Sequence, residues 1–154
     1  MTGPIFTLTD SANSPLQVLS FGVVDAGNST AGIPVRIWNN FAQAANVADA
    51  INTSITTKTY QGFDSGDSIQ NGNEIVVNKM IQVECTSYGS AAYSAIGGPE
   101  DAIISDSPPA GGNTPPPPTI HSAQYAACLL RANVPASASD GNINFLIRVI
   151  YQYQ

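Results

Sequence analysis

Ile33, Val35 and Ile37 alternate with Pro34, Arg36 and Trp38 in the most regular run of the chain. A period of two puts the first set on one face of a strand and the second on the other, so residues 33–39 predict a strand with one buried face. Before it stands Phe21-Gly22-Val23-Val24-Asp25-Ala26-Gly27-Asn28-Ser29, which reads as a strand end and a turn. The Gly, Asn and Ser residues there are turn formers.

The same reading extends along the chain. Residues 5–9 and 16–24 predict a first pair of short strands, separated by the turn cluster 10–15. Residues 41–52 read two ways. Phe41, Ala44, Ala45, Ala48 and Ile51 would line one helical face, whereas Ile51, Thr53, Ile55 and Thr57 alternate as a β-branched strand. A loop with at most one helical turn, running into a strand near 49–60, reconciles them. Residues 75–86 predict a long strand with Ile81, Val83 and Cys85 on one face. Residues 124–134 place Ala126, Cys128, Leu130 and Ala132 together, and residues 143–153 do the same for Ile143, Phe145, Ile147, Val149 and Tyr151. Many short strands punctuated by Gly, Pro and Asn predict an all-β, antiparallel β-sandwich within a single domain, 1–154.

One stretch does not fit a ladder. Residues 97–122 include Pro115-Pro116-Pro117-Pro118, and successive prolines favour polyproline II, which has no internal hydrogen bonds and cannot join a sheet. The two strands after it are too few for a second domain. It is therefore expected to be a long Pro/Gly-rich excursion between late strands, either an arm on a neighbouring subunit or a loose surface loop.

Composition sharpens this picture mainly through charge. Only 10% of the 154 residues are charged, against about 25% in an average soluble protein. Eleven acids against five bases give a net charge of −6. Nucleic acid and anionic membrane surfaces are both read by clustered Lys and Arg, so neither is an expected partner. The opening Met1-Thr2-Gly3-Pro4-Ile5-Phe6 has neither the basic nor the apolar region of a secretory leader. No run approaches the roughly 18 apolar residues that span a bilayer.

Candidate chemistry is sparse. His121 is the one histidine, and a catalytic base needs a nucleophile and an orienting third group, which no motif near it supplies. Asp64, Asp67, Asn71, Asn73 and Glu74 are oxygen-rich as calcium requires, yet their spacing is not that of an EF-hand and a turn explains them equally. Cys85 and Cys128 fall on predicted core faces, where a bridge is geometrically open and reduced thiols are the expectation. Trp38, Tyr60, Phe63, Tyr88, Tyr93 and Tyr153 could form a sugar-stacking platform, although strand aromatics more often pack. No catalytic residue, metal ligand or cofactor is expected.

The last two predicted strands are more informative. Beyond their core rows, Leu129, Leu146 and Ile150 project from the opposite face, where a half-exposed antiparallel sheet should be polar. A partner, or the proline-rich excursion, is expected to cover them.

Two segments carry a resemblance. They are Phe21-Gly22-x-Val24-x-x-Gly27-x-Ser29 with Val35-x-Ile37-Trp38-Asn39-Asn40, and Leu130-x-Ala132-Asn133-Val134-Pro135 with Gly141-x-Ile143-x-Phe145-x-Ile147-x-Val149. With them the chain resembles the immunoglobulin-like sandwich modules of phage virion proteins. Similar openings occur in Hydin-type modules of cilia-associated proteins, so the motif speaks to fold more than to role. The resemblance implies a non-enzymatic structural protein of a tailed-bacteriophage particle, made in the host cytoplasm. It would decorate the capsid exterior through contacts with the major capsid protein, other virion proteins or further copies of itself. A tail, neck or baseplate component is the nearest alternative, and a carbohydrate-binding adhesion module is one of another class.

Overall fold

In the computed structural model, which describes residues 1–154, the alternating run at 33–39 is the second of nine strands. In chain order these are β1 (Phe6–Thr9), β2 (Ile33–Asn39), β3 (Ala50–Thr59), a one-turn helix α1 (Asn73–Val77), then β4 (Ile81–Cys85), β5 (Ser94–Ile96), β6 (Ala102–Ile103), β7 (Thr119–Ile120), β8 (Gln124–Ala132) and β9 (Phe145–Gln152). They form two antiparallel sheets. The first has five strands in the order β1-β2-β8-β4-β5. In the second, β3 is central, with β9 along one side and β6 and β7 end to end along the other. The chain is thus all-β and sandwich-like, with almost no helix.

Burial follows the period-two rows. Val35 and Ile37 on β2, Ile81, Val83 and Cys85 on β4, and Ala126, Cys128, Leu130 and Ala132 on β8 meet Ile55 and Ile120 from the second sheet in one core. Asn39 ties the sheets together. Its Nδ2 donates to the carbonyls of Ala48 and Ile120 at 2.9 and 3.1 Å, and its Oδ1 accepts the Ile5 N–H at 3.1 Å.

Three expectations change. Residues 16–24 form no strand: after the Leu16 N–H bonds Leu8 O at 2.8 Å, the segment leaves the ladder. Its spacing explains why, because Leu16, Leu19, Phe21 and Val24 lean on the core while Val18 and Val23 face solvent. No single pleated face could collect that set. Residues 75–86 split into α1 and β4. Three consecutive β-branched residues offer no alternation, and a helical turn buries Val76 alone before Lys79, at φ 51°, redirects the chain. Gly97 packs so closely on this turn that a Cβ there would stand 2.1 Å from Val76 O. Finally, β6 and β7 form inside 97–122, so the exposed excursion is confined to 107–117. Its base is pinned by Asp106 N–H to Thr119 O at 2.9 Å and Ser105 Oγ to Thr119 O at 2.8 Å.

Candidate interaction surfaces

The two sheets present different outer faces, and the predicted apolar residues are divided between them. Leu129 lies on β8, opposite Pro34 and Glu84 in the first sheet. Leu146 and Ile150 lie on β9, opposite Lys58 and Ser54 in the second. The strands β8 and β9 are not neighbours, so one patch uniting all three does not form. Leu129 is half-buried near Gly32, while Leu146 and Ile150 are 37% and 40% exposed.

On the second sheet, Ile150 belongs to a row that sequence reading missed. Ser54 pairs with Ile150 on one side and Ile103 on the other, so Ile103, 47% exposed, shares their outer face. Its strand is two residues long, too short for any periodic signal.

The first sheet's outer face is aromatic. Trp38 contacts Tyr125 and Phe41, with ring centroids at 4.5 and 5.3 Å, and donates from Nε1 to Thr9 Oγ1 at 3.1 Å. Arg36 lies 4.6 Å from the Tyr125 ring centre and Arg131 3.9 Å from that of Tyr93. The other aromatics of the proposed sugar platform are elsewhere. Tyr60 and Phe63 are exposed in the turn after β3, Tyr88 leans on the core, and Tyr153 stacks against Tyr151.

His121 is firmly placed rather than loose. Its backbone N–H and its Nδ1 each lie 2.7 Å from Asp106 Oδ2, with Asp106 at 7% side-chain exposure and His121 at 53%. No hydroxyl or thiol bonds the ring, so this pair clamps the loop base and carries no nucleophile. Most of the oxygen-rich turn is spent on hydrogen bonds within the chain, although Asp67 Oδ2 is buried without a partner. Asp64 pairs with Lys58, Asn73 Oδ1 accepts the Gly66 N–H, and Glu74 accepts the Ser139 N–H. The Asn71 amide, bonded at 3.0 Å, holds the Asp67 carboxyl below its ordinary range.

Cys85 and Cys128 stand directly opposite each other on β4 and β8, both free and both buried. The Cys128 thiol across the ladder pulls Cys85 down to about 6, helped by Ser87 and opposed by burial. The nearby Cys85 and burial push Cys128 well up. A groove of about 600 Å³ separates residues 18–26 from 138–145. Leu19, Phe21, Ile75 and Phe145 are among its apolar walls, and no histidine, cysteine or lysine lines it.

No helix is long and apolar enough to cross a membrane. Against family models, curated proteins and solved structures, the chain finds no match.

Proposed function

We propose that this chain is a non-enzymatic, immunoglobulin-like structural module of a phage particle that decorates and braces the capsid exterior. The observation that carries the reading is a set of exposed apolar residues on the outer face of the second sheet: Ile103 and Ile150 flanking Ser54, and Leu146 beyond Arg148 on β9. An apolar centre with a polar rim is the anatomy of a protein interface. The low charge density and the resemblance in residues 21–40 and 130–149 support the same reading. Bound to adjoining shell subunits, such a module would stabilise the lattice by mass action.

Co-sedimentation with purified empty capsids tests this directly. Binding to capsids but not to tails is expected, and Leu146→Lys or Ile103→Lys should weaken it at least tenfold, on the order of an interface hot spot. Binding to tails alone would move the protein to a tail, neck or baseplate role. Binding to neither overturns the proposal.

The Trp38–Tyr125–Phe41 cluster favours one second reading, a carbohydrate-binding module, because aromatic faces stack on sugar rings. Glycan-array binding that disappears in Trp38→Ala would establish it in place of decoration.

A further inference from the structure

The strand β9 has one paired edge and one bare edge. From Thr53 on, past the bulge between Ile51 and Ser54, the side of β3 away from β9 uses the backbone groups of odd-numbered residues: Thr53 N–H bonds Pro118 O at 3.1 Å, Ile104 N–H bonds Thr53 O at 3.2 Å, and Gly98 N–H bonds Thr57 O at 2.9 Å. Backbone direction alternates along a strand, so Ser54, Thr56 and Lys58 turn theirs to β9. They pair with Ile150, Arg148 and Leu146. The peptide groups of Ile147, Val149 and Tyr151 must then point away from β3. No backbone hydrogen bond outside the β3 ladder involves any residue of Phe145–Gln152.

Such an edge is normally blunted by Lys, Pro, a bulge or a cover. Here Phe-Leu-Ile-Arg-Val-Ile-Tyr-Gln holds one charge, Arg148, and no acid. The Arg148 guanidinium reaches toward the turn at Gly62, with Nη2 3.5 Å from where a Cβ would stand there. In a chain of net charge −6, this is a stretch where two copies meet without acid facing acid.

We propose that β9 pairs antiparallel with β9 of a second copy of this chain, joining two second sheets across a two-fold axis. The axis passes through Val149. That register sets Ile147 opposite Tyr151 and Leu146 opposite Gln152, and it forms about six new backbone hydrogen bonds. It also sets Arg148 opposite Ile150. Centring on Arg148 instead would oppose two like charges, and centring on Ile150 would shorten the overlap. The pairing is independent of any role on a capsid.

Sedimentation velocity over a concentration series tests it, with exposed Ile150 as the register probe. Wild type should dimerise reversibly. Ile150→Arg sets like charges across the axis twice and should raise the dimer midpoint roughly tenfold, while Ile150→Glu should lower it roughly threefold. Slowed hydrogen exchange at the Ile147, Val149 and Tyr151 amides of wild type, rising with protein concentration, reads the same edge without any substitution. A monomer at all concentrations overturns the proposal. So does a dimer indifferent to both Ile150 variants, or protection of those amides only when capsids are added.

Discussion

The central strands of the two sheets are buried to different extents and by opposite means. In β8 every second residue is aliphatic or a thiol, and Ala126, Cys128, Leu130 and Ala132 meet apolar side chains from the other sheet. In β3 seven of ten residues are buried, on both faces, and five of those are hydroxylic: Thr53, Ser54, Thr56, Thr57 and Thr59. Residues 98–101 cover its outer face, so hydroxyls meet hydrogen-bond acceptors there. Thr56 Oγ1 donates to Gly98 O at 3.0 Å and Glu100 O at 2.7 Å, and Ser54 Oγ to Asp101 Oδ2 at 2.6 Å. On the inner face Thr53 Oγ1 donates to Ile104 O. What covers a strand sets the chemistry it needs: side chains call for hydrocarbon, and backbone calls for donors.

The largest effect belongs to the apolar strand. Leu130 is fully buried in the shared core, so Leu130→Ala removes transfer free energy and leaves a cavity, a loss of about 2–5 kcal/mol. Urea unfolding should show the midpoint falling with little change in slope. An unchanged midpoint would mean that the two sheets do not share one cooperative core.

The hydroxylic strand answers differently to an isosteric change. Thr56→Val keeps volume and β-branching but removes a donor held by two carbonyls. Each carbonyl keeps one other donor, Lys58 Nζ for Gly98 and the Gly97 N–H for Glu100, so the cost is about 1–2 kcal/mol. Thermal unfolding should drop by about 2–8 °C, at about 2–4 °C per kcal/mol for a chain of this size.

This contrast explains which parts of the fold were legible. The strands β2, β4 and β8 follow their period-two rows almost residue for residue, because each buries one face against hydrocarbon. The strand β3 was found from its β-branched residues, but its double burial was invisible, since its cover lies in residues 97–105. Residues 16–24 have the hydrophobicity of a strand without a ladder partner, and α1 answers to Gly72, Lys79 and the close pass of Gly97. Both were decided by tertiary neighbours. The candidate surface was half legible: Leu146 and Ile150 face outward as expected, but separating Leu129 from them required knowing that β8 and β9 lie in different sheets. The bare edge of β9 left no mark, because pairing is not written in the pattern of a single strand.

Acid–base behaviour probes the apolar side from within. The Cys85 thiol is pulled down to about 6, foremost by the Cys128 thiol beside it, so the folded state releases that proton before the unfolded chain does. Its contribution is complete above the ordinary thiol range, near 9, and is lost as pH falls toward 6. The Cys128 thiol is pushed the other way, so stability declines again as pH rises past 9. The pair should therefore give a maximum near pH 9 in denaturant midpoints, and Cys85→Ala should flatten both limbs. Identical profiles for the two proteins would show that the two thiols do not perturb each other in solution.

The smallest effect has the opposite sign and sits one residue from Thr56. Thr57 Oγ1 is buried and has no hydrogen-bond partner. It shares the inward row of Ile55 and stands opposite Ile147 of β9, both of which pack in the apolar core. A buried hydroxyl without a partner costs free energy that valine, of nearly the same shape, does not. Thr57→Val should therefore stabilise the protein by up to about 1 kcal/mol, raising the thermal midpoint by at most about 2–4 °C. Adjacent residues of one strand would then respond to the same substitution with opposite signs. A fall at both positions would mean that the hydroxyl of Thr57 is bonded in solution, and that burial in β3 does not distinguish its two faces.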